Sequence, residues 1–259
     1  MKGRSQSSSI PKKRSRRSDP TPSKSGRSWT CAEVLRKFED LANPEVRAKM
    51  AYFGVQAPTA NGVTAPVLHK LAREIGKNHL LANELWACEV REAKILASLI
   101  GEVQKTTANE MEVWAQAFDS WDVVDTACCY LYAGSKFAWK KAQDWSKRRE
   151  LFIKRAGFSL VAYLSYKDKQ SPDERFAKFL KVVERESDDD RHFVKKAVNW
   201  ALRNIGKRNL KLNREAIRVA EKLRKRESRA ARWIAADALR ELRSEAVQRR
   251  LRQKSLYRR

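Results

Sequence analysis

The stretch HFVKKAVNWALRNIGKRN, residues 192–209, decides the fold. Within it Val194, Ala197, Val198, Ala201 and Ile205 recur at steps of three and four, the interval that puts side chains on one side of an α-helix. Trp200 stands about 120° from that stripe, beside Lys196 and Lys207, with Phe193 on the same flank. Gly206 falls where a C-terminal cap would stand. Such a helix has an apolar stripe that another element must cover, and the rest of the chain supplies more of the same kind.

Working outward, Thr30 followed by Glu33 carries a capping-box signal, and Val34, Phe38 and Leu41 then follow at helical spacing. Periodic segments recur near 44–53, 65–76, 80–87, 90–104, 108–118, 121–134 and 136–146. Others lie near 149–166, 172–186, 211–225, 228–240 and 243–256, with Gly76 as a second capping glycine. Alternating Val, Ile and Thr between turn residues is absent, which argues against strands. About fourteen short helices with short connections pair off at about 35–40 residues per pair, the scale of HEAT-type repeats. The expected fold is therefore all-α, a HEAT-like helical-repeat solenoid (an α-α superhelix) with a concave face. It would occupy residues 28–259, and an irregular helical domain is the alternative.

Charge narrows the function. The chain of 259 residues carries 56 Lys and Arg against 31 Asp and Glu, a net of +25. Residues 1–27 hold nine basic residues and one acidic; residues 191–259 hold 23 and six; residues 28–190 are balanced at 24 each. Segregation of this kind is the footprint of a polyanion binder, nucleic acid first and an anionic membrane surface as the weaker alternative. Residues 1–27, rich in Ser, Pro, Lys and Arg, are expected to be a disordered basic tail: a DNA arm, an import signal or a solubilising segment.

No apolar run reaches the ~20 residues that span a bilayer. The N-terminus lacks a secretory apolar segment, so an intracellular protein is expected, cytoplasmic in a bacterium or nuclear in a eukaryote. Cys31, Cys88, Cys128 and Cys129 lack metal-finger spacing and read as buried reduced thiols. His69, His79 and His192 are dispersed, and no phosphate-cradling glycine loop is present, so neither a metal site nor nucleotide hydrolysis is expected.

Two further segments stand out. In FDSWDVVDTACCYLY, residues 118–132, the helical stripe Phe118, Trp121, Asp125, Cys128 and Tyr132 is apolar except for Asp125. A carboxylate there either pairs with a nearby cation or faces a cleft. Asp122 points elsewhere and reads as a cap or ion-pair member. In ELFIKRAGFSLVAYL, residues 150–164, Lys154 and Arg155 interrupt an apolar helix and are expected to carry their heads to a groove, where they would meet phosphate. Trp200 between Lys196 and Lys207 suits stacking or phosphate-flanking contact, with packing against the next repeat as the alternative.

Trp121-Asp122-x-x-Asp125, then Lys154-Arg155, then Phe193-Val-Lys-Lys-Ala-Val-Asn-Trp200-Ala-Leu-Arg together resemble the AlkD family of HEAT-like-repeat alkylpurine DNA glycosylases, from about residue 44 to about 240. The resemblance implies a catalytic Asp125, Trp121 and Trp200 flanking the lesion, and Arg155, with Lys154 close behind, as the basic groove residue. It implies a monofunctional DNA N-glycosylase that removes positively charged N3- or N7-alkylated purines from duplex DNA, with no metal and no organic cofactor. A monomer is expected. The competing readings are a helical-repeat nucleic-acid-binding protein without catalysis, and a protein–protein adaptor on the same solenoid.

Overall fold

The computed structural model describes residues 28–55 and 58–256; the tail expected over 1–27 lies outside them. Fourteen α-helices and no strand occur among the described residues. The first seven are α1 (Cys31–Asp40), α2 (Pro44–Tyr52), α3 (Ala65–Ile75), α4 (His79–Trp86), α5 (Arg91–Ile100), α6 (Ala108–Gln116) and α7 (Trp121–Tyr130). The others are α8 (Ala138–Trp145), α9 (Leu151–Lys167), α10 (Asp173–Glu186), α11 (His192–Gly206), α12 (Leu210–Arg224), α13 (Arg229–Leu242) and α14 (Glu245–Leu256).

Local chemistry sets these boundaries. Thr30 and Glu33 form the expected capping box at α1, and Thr107 and Glu110 form another at α6. Asn43, Asn78 and Asn209 cap α2, α4 and α12 through their side-chain oxygens. Val34 and Phe38 are buried as expected, whereas Leu41 ends α1 and is exposed. Gly76 closes α3 at φ +77°, a conformation other residues rarely take. Gly206 is not a cap. It is the last residue of α11, and an added Cβ would meet Leu242 Cδ2 at 2.7 Å and Ala216 Cβ at 2.9 Å. Its missing side chain lets α11, α12 and α13 converge.

The helices form two rows. In the inner row α3, α5, α7, α9, α11 and α13 each pack on the next, while α4, α8 and α12 cover α5, α9 and α13 from outside. This is the expected all-α superhelix of helix pairs. The repeat is not uniform: inner helices begin at residues 65, 91, 121, 151, 192 and 229, so steps of 26, 30 and 30 give way to 41 and 37. The expected 35–40 residues per pair therefore describes only the C-terminal part. Between the rows runs a continuous core, in which Trp86 stacks on Trp114 at 4.1 Å and Tyr132 and Trp145 extend the aromatic packing.

The stripe read across residues 118–132 breaks at both ends, because α7 spans only Trp121–Tyr130. Phe118 precedes the helix and Tyr132 lies in a following 3-10 turn; both are core residues, as is Cys128. All four cysteines are free, but only Cys128 is fully buried; the part-buried Cys31 and Cys88 have their sulfurs 3.6 Å apart. No helix among the described residues is long and apolar enough to cross a membrane.

Candidate active site

The inner row carries a repeated connection. Arg91 on α5 bonds Asp122 on α7, with Nε 2.8 Å from Oδ2. Asp125, one turn further, bonds Arg155 on α9, and Arg155 donates from Nη1 to the Phe193 carbonyl on α11 at 3.0 Å. Asn199 on α11 then donates to Asp237 on α13 at 2.7 Å, and Arg203 lies 3.4 Å from the same carboxylate. Each inner helix from α5 onward is thus tied to the next by a charged or amide side chain. The ion-pair role expected for Asp122 is realised, and Asp125 does pair with a cation.

Asp125 differs from the other rungs in its setting. Its Oδ1 accepts from Arg155 Nε at 3.2 Å and from Ser159 Oγ at 2.9 Å; its Oδ2 accepts from Arg155 Nη2 at 2.7 Å. Burial raises this carboxyl above its ordinary 3.8, and the Arg155 and Ser159 bonds pull the other way without cancelling the rise. The remaining face of the Asp125–Arg155 pair opens into a cavity of about 390 Å³. Its other walls are Lys196, Asn199, Trp200, Arg203, Trp233 and Asp237.

The cavity is aromatic and cationic. Trp200 is half-buried, held edge-on to Tyr163 at 4.9 Å, so it neither packs fully into a repeat nor stands free. Trp233 is 41% exposed, and the Lys195 ammonium lies 5.1 Å from its ring centre. His192, beside the cavity, is pushed below its ordinary value by burial and then by Lys196, Lys195 and Arg155. Trp121 is not a wall residue. It sits one turn before Asp125 with its ring 5.8 Å from the Arg155 guanidinium, and its indole N–H donates to the Phe53 carbonyl at 3.0 Å.

Of the residues singled out in the sequence, Asp125, Arg155, Trp200 and Lys196 come together here, with Trp121 at the margin. Lys154 and Lys207 do not. Lys154 is buried between Glu186 (2.7 Å) and Asp189 (2.9 Å), so its head meets carboxylates rather than a groove. Successive helical residues point about 100° apart, which sends neighbours on α9 to different faces. Lys207 pairs with Glu241 at 2.7 Å and borders another cavity. Ser159, Arg203, Trp233 and Asp237 were not anticipated.

Residues 34–249 match the family described as DNA alkylation repair enzyme. The chain belongs to this family. A solved structure described as a new family of proteins related to the HEAT-like repeat DNA glycosylases, with affinity for branched DNA structures, superposes with a TM-score of 0.69. It shares 20% identity, over 82% of this chain and 95% of that one, which shows the shared fold. A designed armadillo repeat protein aligns over 80% of this chain and 91% of its own at 16% identity, with a TM-score of 0.31. No curated protein gives a match.

Proposed function

We propose that this member of the DNA alkylation repair family is a monofunctional DNA N-glycosylase that removes N3- or N7-alkylated, positively charged purines from duplex DNA. The observation that carries the reading is a desolvated carboxylate, Asp125, opening into a cavity walled by two tryptophans.

An alkylated purine already carries a positive charge. When its C1′–N9 bond breaks, the electron pair leaves with the base, which departs neutral and needs no general acid. The charge that develops is on the sugar, and a carboxylate held in place before the reaction stabilises it. Arg155 and Ser159 fix the orientation of Asp125, while Oδ2, with one bond, keeps a lone pair for an incoming water. Water adds to C1′ and its proton passes to Asp125 or to solvent. Trp200 and Trp233 present faces that attract a cationic base, with Trp121 as a further aromatic beside Arg155. Lys196 and the basic C-terminal third supply phosphate contacts.

A second reading has its own observation. Asp125–Arg155 is one of a series of inter-repeat bonds, so the pair also suits a repeat protein that binds DNA without excising bases. Affinity for branched DNA in the superposed relative is compatible with that reading. Release of free base from duplex DNA containing N7-methylguanine separates the two. The glycosylase reading expects release from the alkylated duplex and none from the unmodified duplex; salt-sensitive binding without release would favour the second.

A further inference from the structure

The Asp125 cavity does not display the charge that the sequence concentrates in residues 191–259. Of its three cations, Arg155 and Arg203 already face Asp125 and Asp237. A larger cavity, of about 900 Å³, lies at the edge of the superhelix where the C-terminal ends of α9, α11 and α14 meet the starts of α10 and α12. Six cations line it, Lys169, Lys207, Arg208, Lys211, Arg250 and Lys254, against one acid, Asp173.

Two of these cations build the wall. Arg208 is buried and donates to the carbonyls of Asp168 (2.5 Å) and Ser171 (3.0 Å), and Lys207 pairs with Glu241. Lys211 meets Glu174 at 3.1 Å with both side chains more than half exposed, an arrangement that neutralises little. Lys254 donates to the Lys207 carbonyl at 3.3 Å, and Arg250 is exposed on the same helix. Counting Glu174 and Glu241 with Asp173, the six cations still outnumber the acids around the cavity two to one.

A chain of aromatic contacts runs between the walls of the two cavities. Trp200 lies edge-on to Tyr163 at 4.9 Å, and Tyr163 edge-on to Tyr166 at 5.9 Å; Tyr166 is 44% exposed and lines the larger cavity. Along α11, Trp200 and Lys207 are seven residues apart, about 10 Å of helix axis, which compares with about three nucleotides of duplex rise.

We propose that the edge cavity is a second nucleic-acid subsite, which takes the phosphodiester backbone of DNA already engaged at the Asp125 cavity. The proposal rests on the reading of the inner face as a DNA site, but not on excision. Of the lining side chains six are cationic and three, Leu210, Leu251 and Tyr166, are apolar or aromatic, which favours a polyanion over a lipid or an apolar partner.

The test is the salt dependence of binding of the full chain to undamaged 30-base-pair duplex, comparing wild type with Arg250→Gln/Lys254→Gln. A control, Lys70→Gln/Lys140→Gln, makes the same charge change at exposed sites outside both cavities. The edge variant should lower the slope of log affinity against log salt by about 2, close to 0.9 per phosphate contact, and the control should leave it unchanged. Lys169→Gln/Lys211→Gln, on the opposite wall, should give the same loss if α14 unravels in the first variant. An unchanged slope, or equal losses in edge and control variants, would overturn the proposal. So would saturable binding of inorganic pyrophosphate that both edge variants abolish while the DNA slope stays fixed, which would assign the cavity to a small phosphorylated ligand. Because the slope is read on undamaged DNA, a protein that excises no base could still pass, and an active glycosylase could still fail.

Discussion

Lys154 and Arg155 are adjacent on α9, both are buried, and both are paired with carboxylates, yet they build regions of opposite character. Around Lys154, Glu186 and Asp189 are each met by a second cation, Arg185 and Arg191, and the ions form a closed cluster. Burial alone would raise Asp189, but bonds from Arg191 and Lys154 outweigh it and hold the group at about 2. Around Asp125 the balance falls the other way: burial outweighs Arg155 and Ser159, and the carboxyl stays raised. A matched cluster contributes stability. A carboxylate left short of matching partners, on a cavity wall, is the kind suited to meeting a developing positive charge.

The largest effect expected from this contrast is on Arg155→Ala. It leaves Asp125 desolvated without its cation and the Phe193 carbonyl without its donor, at a cost of about 3–5 kcal/mol in urea unfolding, together with loss of excision. Lys154→Ala should cost less, about 2 kcal/mol, because Glu186 and Asp189 keep Arg185 and Arg191. DNA affinity of the folded Lys154→Ala protein should match wild type; a selective loss of affinity would return Lys154 to the groove and erase the distinction between neighbours.

The pH dependences should also diverge. Asp189 is depressed, so its stabilisation is complete above 3.8 and is lost as pH falls from there toward about 2. Asp125 is raised, so folding binds its proton more tightly than the unfolded chain does, and ionising it costs stability. Excision that needs the carboxylate should therefore decline on an acid limb centred above 3.8 while the Asp189 cluster remains intact. A limb at or below 3.8 in single-turnover rates would contradict the raised Asp125.

Much of this was legible in the sequence. Three-and-four spacing gave the helices, their number and the class of fold, and a lone Asp among apolar residues marked Asp125. The partners of Lys154 were not legible, since Glu186 and Asp189 lie more than 30 residues away and only the packing of α9 near the end of α10 brings them close. Gly206 misled because a glycine at a helix end reads the same whether it turns the chain or admits a neighbour. Trp233 and Asp237 did have a signal: Trp121 and Asp125 on α7 recur as Trp233 and Asp237 on α13 with the same four-residue step, each tryptophan outside its helix's buried set. Drift of the repeat from 26 to 41 residues hid that echo.

The most direct test of the account is Asp125→Asn. The amide keeps one oxygen for Ser159 and Arg155 Nε but turns an NH2 toward Arg155 Nη2 and leaves that buried guanidinium without its counter-ion. Stability should therefore fall while the folded protein keeps its duplex affinity. Under single-turnover conditions, release of N7-methylguanine from duplex DNA should fall by a factor of about 10²–10³, the scale of losing one preorganised electrostatic group. Release at the wild-type rate would contradict the account, and loss of duplex affinity by the folded variant would make Asp125 a rung between repeats and nothing more.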